Sequence, residues 1–598
     1  MNWDLTDYFP AFDGPEYRSF KEKLVQDIDA LTRRAADLPA LGADSAAAWE
    51  QIFLAYESLA SRLSHIGSYV GCLSSADARN EAYSREDAEL DLLSARSAKL
   101  GVELKRALKD CGDDDFDAFC ARDGLEGTAH YLGRMRIDAR RSMSPEKEVL
   151  AADLGVDGIN AWGRLYDSVS GKLEFDMEYP DGRTERLPIS QRRSLMGNPD
   201  RRVRRAAFEK GNAAWASMED VTGAALNAIA GTRLSLNRHR GVDHFLDIAL
   251  FQASITRQTL DAMFAAIDAE IELPRRILGL KSRAQGTDGV AWYDLEAPLP
   301  LPEQEPVTWE ACKEQVADSF SKAYPLLGEF TRDMYAKEWI EWEPRPGKRP
   351  GAFCTSTSFI NQSRIYMTFN EATGDVRTLA HEAGHAFHSH ILRDKRPFAR
   401  RYPMTLAESA STFGEMLLTE GVLAAPGISP AQKAAVLDIE TAHGAVFLLD
   451  IPVRYRFEKR FHEERQGGEV SVSRLKELMV ETQREVFGPA LDPAGADPYF
   501  WASKLHFYIT GVTFYNFPYT FGFLLSRGLF ARFQQEGPAF LPRYEDFLRL
   551  TGSAPAEEVA RQSIGVDLEK PEFWRDAIRT LEEPLAQLEE LLPQVMPS

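Results

Sequence analysis

His381-Glu382-Ala383-Gly384-His385-Ala386-Phe387-His388-Ser389-His390 places four of the chain's eleven histidines within ten residues. The preceding Asp375-Val-Arg-Thr-Leu-Ala is helix-competent, with Asp375 near the helix N-terminus, where a negative charge complements the helix dipole. On a helix, His381 and His385 stand one turn apart on one face, so two imidazoles converge on a single metal ion. Neutral imidazole suits borderline-soft Zn²⁺. Glu382 sits beside the pair, where its carboxylate can take a proton from a metal-bound water whose pKa zinc lowers towards ~7. The competing reading is a solvated helix face with a few satisfied histidines. The helical context favours the metal.

A tetrahedral catalytic site needs a third protein ligand and an open position. Downstream, Met404-Thr-Leu-Ala-Glu-Ser-Ala-Ser-Thr-Phe-Gly-Glu-Met416 reads as helix. On it Glu408 and Glu415 share a face but stand ~10 Å apart, so only one can bind the metal. Glu408 takes that role here, because Ser411 and Thr412 follow at i+3 and i+4 and are spaced to orient its carboxylate. Glu415 then holds a ligand imidazole by its other nitrogen, or is an ordinary helix carboxylate. His388 lies one turn further along the histidine face and could replace His381 only by leaving Glu382 without a role. A rival constellation pairs Glu382-x-x-His385 with Glu440-x-x-His443 as a di-iron carboxylate bundle, Glu408 or Glu415 adding a carboxylate. That reading idles His381, and the chain before residue 372 is too proline-rich and strand-like for a fourth ligand helix.

Between Lys504 and Arg527 there is no charged residue, a length that could span a bilayer. The stretch nonetheless holds His506, Tyr508, Thr510, Thr513, Tyr515, Asn516, Tyr519 and Thr520, too many polar groups for lipid. It reads as buried wall, either an aromatic core or a source of imidazole and phenol donors for an oxyanion.

The rest of the chain narrows the class. It has 598 residues, 70 Lys+Arg against 91 Asp+Glu (net −21) and 44% hydrophobic residues. Collagen-like, disordered and disulfide-scaffold chains are excluded, and the acidic balance argues against nucleic acid as a partner. Five scattered cysteines without C-x-x-C spacing fit a reducing, cytoplasmic setting. The opening Met-Asn-Trp-Asp-Leu-Thr-Asp has neither the basic nor the apolar region of a standard signal peptide. Apolar residues at three- and four-residue spacing predict helices at 14–36, 44–72, 80–110 and 201–236. Leu173, Phe175, Met177 and Tyr179 alternate with polar residues before Pro180-Asp181-Gly182, predicting a hairpin that returns to Ile189. Proline-rich stretches at 297–306 and 344–350 mark loops, and Ser363–Asn370 reads as a strand. The expected division is a helical N-terminal domain at 1–200 and a catalytic domain at 201–598.

His381-Glu-Ala-Gly-His385-Ala-Phe-His388 together with Ala407-Glu408-Ser-Ala-Ser411 resembles the thimet oligopeptidase family of zinc peptidases, in its oligoendopeptidase F branch. Tyr293-Asp-Leu295, Gly351-Ala-Phe353 and Phe514-Tyr515-Asn-Phe-Pro-Tyr519 agree with it, over roughly residues 200–590. The resemblance implies a mainly α, two-part ellipsoid with a deep substrate channel, small β-sheet and hairpin elements, and active-site helices of the zincin type. It implies one zinc per chain on His381, His385 and Glu408, Glu382 as general base, and cleavage of internal bonds in short peptides. It maps His506 and Tyr515 as transition-state donors, with Tyr508 and Tyr519 as further candidates. Gly351, Phe353 and the strand ending at Asn370 would bind substrate backbone by β-addition. Short peptides are thus the expected partners, with no nucleic acid and no membrane; the oligomeric state stays open.

Overall fold

The computed structural model describes residues 1–302 and 305–596. The chain is mainly helical, and the helices gather into two compact units. One comprises Met1–Ser142, Gln304–Pro426 and Leu529–Asp567; the other comprises Met143–Glu303, Gly427–Gly528 and Leu568–Ser598. Neither follows the expected cut at residue 200. Each unit is built from three segments remote in sequence, so its core forms between helix faces that no local pattern pairs.

In the first unit the expected helices form at Pro15–Ala36, Ala46–Ala76 and Glu81–Lys109 and pack on one another. Trp49, Ile52, Phe53, Leu100 and Leu104, spaced at helical intervals, are all fully buried between them. In the second unit the predicted helix at 201–236 is two helices, Arg201–Ala216 and Glu219–His239. Ser217 ends the first by turning its hydroxyl back to the Ala214 carbonyl. Glu219 and Asp220 then open the second in the first turn, where carboxylates are favoured.

The hairpin forms as β1 (Glu174–Glu178) and β2 (Thr184–Pro188), antiparallel, with Phe175 opposite Leu187. Their inward side chains, Phe175, Met177 and Leu187, cluster with Val203 and Ala207, which is the alternation expected of a half-buried sheet. The second sheet belongs to the first unit. There β3 (Ile340–Glu341) runs parallel to β5 (Gln362–Tyr366), β4 (Phe353–Thr357) runs antiparallel to β5, and the order β3-β5-β4 leaves β4 at an edge. The strand expected to reach Asn370 stops at Tyr366. Beyond it Met367 and Phe369 still donate to the Glu341 and Trp342 carbonyls, but no longer as part of a ladder.

The uncharged stretch folds as one short helical turn, Leu505–Tyr508, then a loop, then the start of the helix Phe517–Glu536. Asn516, Thr520 and Ser526 are fully buried in it. No described helix is long and apolar enough to cross a membrane.

Candidate active site

Residues Thr373–Ile391 form the histidine helix. Asp375 opens it, its Oδ2 accepting the N–H groups of Asn370 at 2.7 Å and Ala372 at 3.2 Å. Donors that a helix N-terminus leaves unpaired are satisfied in this way. One turn apart, His381 and His385 bring their Nε2 atoms to 3.1 Å.

The downstream segment differs from expectation. It is a short helix, Met404–Ala407, then a break at Glu408–Ala410, then the helix Ser411–Leu423. Side-chain and tertiary contacts open the break. The Ser409 hydroxyl donates to the Leu406 carbonyl at 2.9 Å, and the Tyr544 hydroxyl donates to the Ser409 carbonyl at 3.0 Å. Against it presses Gly384 of the histidine helix: a Cβ there would stand 2.4 Å from the Ala410 oxygen and 2.6 Å from Ser411 Cα. The middle glycine of the motif thus permits the close crossing. The break changes the reach of the two glutamates. Glu408 Oε2 lies 3.4 Å from His381 Nε2 and 3.6 Å from His385 Nε2. The Ser411 hydroxyl donates to Glu408 Oε2 at 2.7 Å, while Thr412 contributes only its backbone N–H, to the Glu408 carbonyl. Glu415 reaches the far side of the same ring, where His381 Nδ1–H donates to its Oε1 at 2.5 Å.

These three residues fit a zinc ion. Their ligand atoms all lie within 4.8 Å of one another, the one such group among the described residues. The measured separations of 3.1, 3.4 and 3.6 Å bracket the ~3.3 Å edge of a tetrahedron with ligands at ~2.0–2.1 Å. With its Nδ1–H spent on Glu415, the neutral His381 ring presents an Nε2 lone pair towards the same point as Glu408. Arg377 Nη2, 2.6 Å from Glu415 Oε2, completes a chain from guanidinium to carboxylate to imidazole. Arg377 stands four residues before His381 on the same helix face, a spacing visible in the sequence but not used there.

Glu382 is 6% exposed. Burial pushes its carboxyl up to about 7, against the pull of His381, with Glu408 and Glu415 adding to the rise and the Cys354 N–H opposing it. For His381, burial opposes protonation, but the bond to Glu415 and the surrounding carboxylates raise it to about 9. Glu382, His381 and His385 line a cavity of about 750 Å³ in the first unit, with Phe353 and Cys354 of the edge strand on its wall. Gly351 is exposed at the approach to that strand, at φ +103°.

The remaining residues sort plainly. His388 is fully buried, its Nε2 2.9 Å from Thr551 Oγ1 and its ring stacked on Tyr402, so it is a core histidine. The second E-x-x-H lies in the other unit, where Glu440 is ion-paired with buried Arg527 and His443 lines an apolar cavity. Those roles account for it without a second metal. Tyr508, expected at the substrate, is 2% exposed and stacks on Tyr166 with ring centroids 3.7 Å apart, a core position of the second unit. His506, Tyr515 and Tyr519 are half-buried and form one aromatic cluster in that unit, His506 meeting Tyr515 edge-on at 5.1 Å.

A family model described as peptidase family M3 matches residues 194–580, and one described as oligopeptidase F matches residues 108–175. Oligopeptidase PepF of Bacillus subtilis is 24% identical over 611 residues, covering 100% of this chain and 88% of its own. An oligoendopeptidase F homolog of Lactococcus lactis is 26% identical over 489 residues, covering 78% of this chain and 77% of its own. The crystal structure of oligoendopeptidase-F from Enterococcus faecium superposes with a TM-score of 0.70 at 20% identity, covering 96% of this chain and 99% of that one. At that identity the likeness shows the fold.

Proposed function

The chain belongs to peptidase family M3, and from that premise we propose that it is a zinc-dependent endo-oligopeptidase acting on internal bonds of short peptides, one zinc per chain. The observation that carries this reading is the convergence of His381, His385 and Glu408 at the edge lengths of a zinc tetrahedron. When bound there, zinc supplies Lewis acidity, polarising a carbonyl and making water acidic enough to lose a proton near neutral pH.

The protein's own groups carry the rest. Glu382 accepts a proton from the attacking water and returns it to the departing amine, a task that suits a carboxyl held close to neutral pH. Glu415, braced by Arg377, keeps His381 in the tautomer whose Nε2 is free to ligate. Edge strand β4 has a neighbouring strand on one side only, so an extended peptide can add along the other, a mode of binding that accepts many sequences. Gly351, before the strand, leaves room for that approach. Tyr515 is the proposed donor to the developing oxyanion, with Tyr519 beside it; His506, in the same aromatic cluster, is proposed to meet the substrate with them. The free thiols fit a cytoplasmic setting.

The test is a quenched-fluorescent octapeptide and an elemental analysis. We expect about one zinc per chain, cleavage abolished by chelator, and little cleavage of a denatured protein substrate. Glu382→Gln should keep metal and fold while turnover falls by roughly 10³-fold. Turnover by Glu382→Gln at the wild-type rate, or tight peptide binding without cleavage by the zinc-replete protein, would end the reading.

A further inference from the structure

The loop that carries His506 and Tyr515 is tied down by polar groups of its own unit. Arg233 donates to the carbonyls of Ile509 and Val512, the latter at 2.6 Å. Glu458, buried, accepts the N–H of Phe514 at 2.9 Å, and Phe514 holds a left-handed backbone at φ +52°. Asn516 closes the loop. It is fully buried, and its Oδ1 lies 2.7 Å from His506 Nδ1 and 3.5 Å from Arg454 Nη1. Arg454 is itself ion-paired with Asp450, one turn earlier on its helix.

The chemistry of these partners sets the direction of each hydrogen bond. A guanidinium can only donate, so the carboxamide atom that faces it is the oxygen. Turning the amide over would set an –NH₂ against the guanidinium. The carboxamide is therefore held by its oxygen alone; its Nδ2 finds no acceptor among the described residues. An oxygen cannot donate, so the proton in the contact with the imidazole is His506 Nδ1–H. Burial is the main cause that holds the His506 pKa down at about 4, and the neighbouring Lys504 and Arg454 act against protonation too, while the Asn516 bond and Asp450 oppose the fall. The ring is neutral at neutral pH, and a neutral imidazole carries one proton. That proton is on Nδ1. Nε2 meets no donor among the described residues.

We propose that Asn516, oriented by Arg454, fixes His506 as the Nδ1–H tautomer, so that the ring offers Nε2 as an acceptor for a backbone N–H of the peptide substrate. The polarity is opposite to that of an oxyanion donor, the role first expected for His506. Donation to the oxyanion then falls to the tyrosines of the segment. Asn516 is a positioning residue, acting through the histidine. The catalytic consequence rests on the peptidase reading, whereas the tautomer does not.

Two measurements on the full-length zinc-loaded protein test this. Asn516→Asp keeps an acceptor oxygen between Arg454 and His506, and Asn516→Leu removes it. We expect N516D to retain at least a third of wild-type kcat/KM at pH 8. Its carboxylate favours the imidazolium, so the acid limb of the pH profile should move up by more than one unit. N516L should lose at least tenfold in kcat/KM. A donor role predicts the reverse, because freeing the ring lets Nε2–H form, so full activity in N516L overturns the proposal. Long-range ¹⁵N–¹H spectra of histidine-labelled protein read the tautomer directly, with His506 identified by its loss in His506→Gln. A pyrrole-type Nδ1 and a pyridine-type Nε2 support the assignment, and the reverse pattern overturns it. This reading needs no substitution at position 516 and holds whether or not any peptide is cut, so it separates failure of this inference from failure of the peptidase assignment.

Discussion

Gly384→Ala probes the close contact between the histidine helix and the break that carries Glu408. The added Cβ would sit 2.4 Å from the Ala410 oxygen and 2.6 Å from Ser411 Cα, where ordinary contact begins at 3.4 Å. Both neighbours are backbone, so no side chain can swing away. The crossing must open by about 1 Å, and it opens between the helix carrying His381 and His385 and the turn carrying Glu408. Metal–ligand distances tolerate about 0.2 Å, so the Glu408 carboxylate cannot follow the histidines without rebuilding its bond to Ser411. We expect roughly a 100-fold loss of zinc affinity, equivalent to ~2.7 kcal/mol. Apo-protein stability should fall by a further ~1–3 kcal/mol, as overpacking at a close contact generally costs. The assay is zinc titration of chelator-stripped protein against a competing chelator, with thermal melting of the apo form beside it. Gly414→Ala is the graded control from the facing helix. Its Cβ would meet the Ala380 oxygen at 3.1 Å and the Phe320 ring at 3.3 Å, a squeeze that the neighbours relieve by a few tenths of an ångström. It should cost less than fivefold in zinc affinity. Zinc binding by Gly384→Ala within threefold of wild type, or a larger loss in Gly414→Ala, would refute the reasoning.

Glu415→Gln should weaken zinc binding by about 10- to 100-fold while leaving all three ligands in place. The cause is that a carboxamide paired with Arg377 no longer holds His381 by its Nδ1–H; unchanged affinity would make Glu415 an ordinary helix residue. Glu458→Gln should stabilise the chain in a pH-dependent way. Burial raises the Glu458 carboxyl to about 7, although the Phe514 N–H and Arg233 pull the other way. A carboxyl raised in the folded state contributes fully below its unfolded value near 4.5 and loses that contribution as the pH climbs through 7. Glutamine cannot ionise, so the variant's melting temperature relative to wild type should rise between pH 4.5 and 8, by on the order of 3 kcal/mol in stability. A difference that stays flat with pH would show that Glu458 does not titrate there.

How much of this was legible in the sequence depends on how local the cause is. The histidine pair follows from helical periodicity over five residues, so its geometry could be read directly. Glu408 could be chosen over Glu415 because Ser411 lies one turn on, and the Ser411–Glu408 bond is found. The break beneath Glu408 could not be read, because its causes are tertiary: Tyr544 comes from 135 residues away and Gly384 from another helix. Continuous helix would have kept the two glutamates on one face with a single target. The break lets one reach the Nε2 atoms of His381 and His385 and the other the back of His381. The division of the chain was hidden for the same reason, since each unit collects three segments that are not contiguous in sequence. Tyr508 shows the opposite error. The family resemblance set it among the candidates for contact with substrate, yet its ring is spent on the core stack with Tyr166.

His506 marks a finer limit. Residue type alone allows an imidazole to donate or accept, and the choice rests on one hydrogen whose position follows from a chain of partners. Asn516 is only ten positions away, so the pair could have been noticed in the sequence. Its direction could not, because a carboxamide presents either end and only Arg454, on a separate helix, selects the oxygen. Arg377, Glu415 and His381 repeat the arrangement beside His385 and Glu408, with a carboxylate in place of the carboxamide. In both, an arginine orients a side-chain acceptor group, an oxygen of that group claims Nδ1–H, and Nε2 is left for what the protein binds; at Asn516 one oxygen meets both partners, whereas Glu415 gives Oε2 to the arginine and Oε1 to the imidazole. The two differ in charge, and that difference has a consequence. The carboxylate can support positive charge on its ring and suits a ligand to a cation. The neutral amide adds no such charge, and burial, with Lys504 and Arg454 nearby, keeps His506 an acceptor across the neutral range.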